Sequence, residues 1–195
     1  MTGRQFRLLL LAAWMASVAV VASFLAPSSS ANEQGAARGA RSARLARAEG
    51  ARLLRAIGDQ RRETWRWQRV MGARLTPATR SAEDSPALAY RRWVLGVWTQ
   101  RARATRRLAH RPPHLTAWLC IHRYEGAWND PNPPYYGGLQ MDLGFQRTYA
   151  ARLLRRKGTA DHWTPLEQMW AAERAHRSGR GFYPWPNTAR SCGLI

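Results

Sequence analysis

Lysine is almost missing from this 195-residue chain: Lys157 is the only one, so its 31 basic residues are otherwise all arginine. Acids are scarce too, 12 against those 31, which leaves a net charge of +19. Cysteine is limited to Cys120 and Cys192, too few for a zinc site built on cysteine pairs. The five histidines, at 110, 114, 122, 162 and 176, do not form the two-histidine zinc motif with its glutamate. No glycine-rich phosphate loop is present, and no internal repeat is visible. The expectation is therefore no metal and no cofactor.

One long apolar run is present. Arg4 and Arg7 lead into a nearly unbroken stretch from Leu8 to Ala26, followed by the small residues "PSSSA". A basic start, an apolar core and small residues make a secretory signal; the run is also long enough to act as an uncleaved membrane anchor. Residues 1–31 are read as one or the other. Either makes the rest extracellular: secreted, or anchored to the cell wall or membrane. In that compartment the cysteine pair Cys120 and Cys192 is expected to oxidise to a disulfide. Closing such a loop constrains the unfolded chain by about 4 kcal/mol on the chain-entropy account.

The positive charge is unevenly placed. Residues 32–111 hold 19 arginines and six acids, whereas residues 112–195 hold ten basic residues and six acids. An exported Arg-rich segment attracts polyanions by long-range electrostatics. Its expected partners are anionic cell-wall polymers or a membrane surface, and no specific nucleic acid is expected.

Residues 27–43 are small and polar and read as a linker. From Arg44 to Val70 the composition is helical, with Gly50 and Gly58 as interruptions. Residues 76–86 are a turn-rich break. In the next segment Tyr90, Trp93, Val94, Val97 and Trp98 make one apolar stripe at helical spacing, with arginines opposite. That stripe either packs on the C-terminal domain or lies on a wall or membrane surface. "RPPH" at 111–114 ends the helix, so residues 32–111 are read as an Arg/Ala-rich helical segment and linker, and 112–195 as a separate domain.

Within that domain "HLTAWLCIHRY" reads as a helix, with Gly126 suited to a left-handed turn beyond its end. Glu125 falls at the helix C-terminus, on the stripe that carries Trp118 and Ile121. Apolar neighbours and the negative end of the helix dipole both disfavour an anion there, which suits a general acid. The competing reading is a solvated glutamate at a frayed helix end. Downstream, "NDPNPP" makes an irregular turn, and "YYGGLQMD" reads as a short strand with a glycine hinge. Aromatics can stack on sugar faces, and Asn or Gln can orient a polar ligand, an arrangement that suits a saccharide cleft.

These motifs resemble the lysozyme-like domain of actinobacterial resuscitation-promoting factors and related transglycosylase-like proteins. The resemblance rests on Glu125, Gly126 and Trp128, on "YYGGLQ" at 135–140, on "TPLEQMWAAERA" at 164–175, and on "GFYPWP" at 181–186. It spans residues 112–195 and implies an α+β, mainly helical fold. That fold would be a small lysozyme-like domain with a short β-hairpin, here preceded by Arg-rich helices. It further implies that Glu125 is the catalytic acid, that Trp128, Tyr135, Tyr136, Gly138, Gln140 and Trp185 contact substrate, and that peptidoglycan glycan strands are the partner. The chain departs from the family in its cysteines. The family cysteine directly precedes the catalytic glutamate, whereas Cys120 lies five residues earlier and Cys192 six beyond Pro186.

Glycoside cleavage generally uses two carboxylates. "TPLE" at 164–167 is a capping box, which assigns Glu167 to its own helix start. Glu173 lies mid-way along an apolar face and is read as a buried structural acid holding the loop after Glu125. Asp130, beside Pro131, is a turn residue. Asp142 remains as the candidate second acid. Lytic transglycosylases, which the motifs also resemble, need only one acid/base, because the sugar's own 6-hydroxyl attacks. The expected function is a peptidoglycan-cleaving glycosidase of lytic-transglycosylase or muramidase type. The alternatives are a non-catalytic wall-glycan-binding protein of the same fold and a basic nucleic-acid-binding module.

Overall fold

A computed structural model describes residues 29–78 and 84–195. The apolar run at 8–26 lies outside them, as do its two readings. Among the described residues no helix is long and apolar enough to cross a membrane. The fold is mainly helical with one two-stranded antiparallel sheet. Its elements in order are α1 (Ser29–Met71), α2 (Leu88–Ala109), α3 (Leu115–Glu125), β1 (Tyr135–Tyr136), β2 (Met141–Asp142) and α4 (Leu143–Lys157). A 3-10 turn (Ala160–His162), α5 (Pro165–Ala175), a π-turn (His176–Arg180) and α6 (Pro186–Ser191) follow. The chain divides into two compact units, Met1–Ala48 and Glu49–Ile195. Within the first, residues 32–47 of α1 are exposed; everything below concerns the second.

Residues 29–43, expected as a linker, are helical, and α1 runs through all four of its glycines. Between positions 27 and 77 there is no proline, and the alanine- and arginine-rich composition favours helix strongly enough to absorb about 1 kcal/mol per glycine. A Cβ at Gly50 would meet only the mobile end of the Arg91 side chain, at 2.5 Å from Nη1, and Leu88 Cδ2 at an ordinary 3.5 Å. The helix stops at Gly72, in the left-handed region with φ 67°. Thr76 then latches the chain back, exchanging hydrogen bonds with Gln68 and accepting at its carbonyl from Trp65 Nε1 at 2.8 Å.

The apolar stripe of α2 turns to α1 rather than to the C-terminal domain. Val94 and Trp98 pack against Ile57 of α1, and Trp65 meets Trp98 edge-on at 6.4 Å. Trp93, placed on the same stripe by its spacing, is 64% exposed and stacks on Tyr90. The buried line follows Val94, Trp98, Ala102, Thr105 and Ala109, a set centred on a neighbouring stripe of the helix. A second cluster joins both sides of position 112: Trp67, Met71 and Ala109 pack with Trp170 of α5, and Trp170 Nε1 donates to the Ala109 carbonyl at 2.8 Å.

The largest core cluster gathers Trp118 and Ile121 of α3, Leu139 and Met141 of the hairpin, Met169 of α5, and Trp163 and Trp185. The segment 135–142, read locally as a short strand with a glycine hinge, forms the expected short β-hairpin. Tyr135 pairs with Asp142 and Tyr136 with Met141, and the four residues between them make the turn. Gly137 and Gln140 both take positive φ there, 74° and 46°.

Candidate active site

The site is built outward from α3. Trp118 and Ile121 are fully buried, so the face they define is fixed against the core, and Glu125, one turn beyond Ile121, emerges half-buried at its rim. The start of α3 is held by Glu173. This fully buried carboxylate accepts from the His114 amide and from Trp118 Nε1, both at 2.8 Å, and lies 3.2 Å from His114 Nδ1. Glu173 is thus buried and paired as expected, but it anchors the beginning of the helix that carries Glu125 rather than the loop after it.

Two links tie the end of α3 to the C-terminal helix. Cys120 and Cys192 form a disulfide, and the Thr188 hydroxyl donates to Glu125 Oε1 at 2.7 Å. The same hydroxyl lies 3.3 Å from the Trp185 carbonyl. The sequence signalled the disulfide through cysteine parity. Thr188 had no signal, because its distance from Glu125 in the chain is 63 residues and nothing local marks it.

After Glu125 the chain turns extended at Gly126, with φ 157° and ψ −174°, rather than into the expected left-handed turn. A Cβ on Gly126 would lie 3.3 Å from Gln140 Nε2 and 3.4 Å from Asp130 Oδ2. Asp130 organises this loop. One carboxylate oxygen accepts from the Asn132 amide and side chain, the other from Gln140 Nε2 at 2.9 Å, and its carbonyl accepts from the Gly137 amide. Gln140 Nε2 also donates to the Gly137 carbonyl at 2.9 Å, so both amide protons are committed and Oε1 is what Gln140 offers a ligand.

Gln168 locks the loop to the core, and sequence reasoning passed over it. Fully buried on α5, its Oε1 accepts from the Gly138 amide at 2.9 Å while Nε2 faces the carbonyls of Trp128, Ala160 and Trp163. Its mark in the chain is a polar side chain directly before Met169 and Trp170 on a buried helix. A buried polar group there must be fully paired.

The expected sugar-contacting residues separate into two groups. Tyr135, Gln140 and Trp185 line one groove of about 290 Å³, with Asp142, Gly144, Phe145 and Arg180. Tyr135 is 50% exposed and supplies an open aromatic face. Trp185, expected on the sugar-binding face, is a core residue at 4% exposure. Its ring packs against Trp118 and Phe145, and Nε1 donates to the Leu139 carbonyl at 2.6 Å. The other three lie away from the groove walls. Trp128 stacks on His122 with ring centroids 3.9 Å apart, and Tyr136 packs on the core. Gly138 is buried; a Cβ there would meet His122 Nδ1 at 2.6 Å and Trp128 at 2.7 Å. Its glycine serves that close packing.

Glu125 is not on the groove's wall, but both groups that bracket it are: Gln140 beside Gly126, and Trp185 on the segment leading to Thr188. Asp142 caps α4, its Oδ1 accepting from the Phe145 amide at 2.6 Å, and the residue is exposed on the groove wall.

Glu167, His176 and Arg174, all shifted, lie outside this groove. Burial acts to raise the Glu167 carboxyl, but Lys157 at 2.7 Å from both oxygens and the Thr164 amide outweigh it and hold Glu167 below the usual glutamate value. Thr164 and Glu167 complete the capping box that "TPLE" announces. Burial, and then the charge of His114, lower the His176 imidazole, against a smaller opposing pull from Glu173. Burial and then Arg177 push Arg174 down to about 10. Among the described residues no three His, Cys, Asp or Glu side chains converge as metal ligands. No protein-family model, no curated protein and no solved structure matches the chain.

Proposed function

We propose that residues 112–195 form a lysozyme-like domain that cleaves the β-1,4 glycan bond of peptidoglycan, with Glu125 as general acid/base. The observation that carries this reading is the Thr188–Glu125 hydrogen bond of 2.7 Å. A hydroxyl donating to Oε1 is satisfied whether Glu125 is carboxylate or acid, since Oε1 accepts in both states. The exchangeable proton then resides on Oε2. A held carboxyl with one free oxygen is the minimal equipment for proton transfer to a glycosidic oxygen.

The chemistry is a single-acid scheme. Glu125 Oε2 gives its proton to the bridging oxygen as the bond from that oxygen to the anomeric carbon breaks, and positive charge develops on the sugar ring. The sugar's own 6-hydroxyl attacks the anomeric carbon and its proton returns to Glu125, leaving an anhydro end. The β-hairpin and Tyr135 would seat the glycan strand along the groove.

The test is digestion of purified cell walls by the chain and two variants. Glu125→Gln should abolish the fall in turbidity, whereas Asp142→Asn should keep more than about a tenth of the rate, consistent with loss of a nearby charge rather than of the acid. Full activity in Glu125→Gln would end the assignment. Mass spectrometry of the products separates anhydro from reducing ends by one water; reducing ends would replace the internal attack with hydrolysis.

A further inference from the structure

A second groove lies elsewhere among the described residues. Of about 810 Å³, it lies between the end of α1, the loop after it, α4 and α5, in the size range of small-ligand sites. Its floor is apolar: Trp67 is buried, and Leu153 and Leu166 are half-buried. Its rim is cationic, with Arg69, Arg152 and Arg156 exposed along it. Six basic side chains line the groove against one acid, Glu167, and that acid is already taken by Lys157.

The rim's cations lack counter-charges. Arg66 lies 3.6 Å from Glu63, but among the described residues no carboxylate comes within 4.0 Å of Arg69, Arg152, Arg156 or Arg174. Arg174 is the most telling. Its guanidinium is held by the carbonyls of Tyr149 and Val70, the latter at 3.0 Å, and it is partly withdrawn from water beside a second cation, Arg177. A guanidinium in such a place is stabilised by an anion. Arginine forks also match phosphate oxygens in geometry.

An anion alone would not use the floor, and an apolar chain alone would not use the rim. We propose that this groove binds a single anionic phospholipid, its phosphate held by Arg152, Arg156 and Arg174 and its alkyl chain laid over Trp67, Leu153 and Leu166. The groove is separate from the Glu125 site, and no residue lines both cavities. The apolar run at 8–26, read as an export signal or anchor, would bring the chain to a membrane where such lipids are available.

Calorimetry on the full chain tests this with dihexanoyl phosphatidylglycerol below its micelle concentration, dihexanoyl phosphatidylcholine, and inorganic phosphate. The expected result is saturable binding of the anionic lipid, at least about tenfold tighter than either other ligand. Equal binding of the zwitterionic lipid, equal binding of phosphate, or no saturation would each overturn the proposal, and these comparisons need no variant. Arg152→Glu with Arg156→Glu should then weaken the anionic lipid by about tenfold or more, as should Leu153→Asp through the floor. The same charge change at Arg106 and Arg107, exposed on α2 outside the groove, should alter it by less than about twofold. Equal weakening by the two double variants would show diffuse attraction to a basic protein and defeat the site.

Discussion

At the scale of single residues, Glu125 is defined by what holds it. Its helix is pinned at the start by Glu173 and near its end by Thr188 and a disulfide, so the carboxyl has little freedom to move. Thr188 acts through Glu125 and is a positioning residue. Thr188→Val should lower kcat for wall cleavage by about tenfold with little change in KM, since one hydrogen bond that orients the acid is lost. Thr188→Ser should restore most of the rate. Matching losses in both variants would mean that bulk, not the hydroxyl, matters at this position. Gly138 makes the opposite kind of prediction. Gly138→Ala forces a methyl against His122 and Trp128, and denaturant unfolding should show a loss of about 1–3 kcal/mol.

Among the elements, the loop between α3 and the hairpin depends on α5. Gln168 bonds that loop at Trp128 and the hairpin turn at Gly138. Gln168→Ala would strand a buried amide and several carbonyls, costing about 2–4 kcal/mol in unfolding experiments. Activity should fall further than stability explains at temperatures where the variant is still folded. The disulfide closes a loop spanning 72 positions; its removal by Cys120→Ala with Cys192→Ala should cost about 4 kcal/mol on the chain-entropy account, read as a lowered Tm.

For the molecule as a whole, stability should fall on acidification in two stages. His176 has a lowered folded pKa, so as pH drops below about 6.5 the unfolded chain takes up its proton first and unfolding is favoured. Glu167 is also lowered; its contribution is present above the ordinary glutamate range near about 4.3 and is lost as pH falls through the lower folded value. Melting temperatures across pH 3–8 check both. His176→Phe should flatten the upper stage, and Glu167→Gln the lower.

Much of the helical architecture was legible in the chain. The ends of α2 and α3, the capping box of α5 and the location of Glu125 follow from proline, Thr-x-x-Glu and a periodic apolar face, all of which act over one or two turns of backbone. The linker reading failed over residues 29–43 for a local reason as well: alanine and arginine outweighed the glycines once no proline intervened. What lay beyond reading was every relation that crosses the chain. Trp128 and Trp185 have the composition of a sugar platform, yet one stacks on His122 and the other sits in the core. The stripe of α2 turned to α1, and Thr188 reached Glu125 across 63 residues. Local patterns report which groups want burial or a cap; which partner satisfies them is decided only when distant segments close on one another, because burial and hydrogen bonding are properties of the packed neighbours and not of the residue alone.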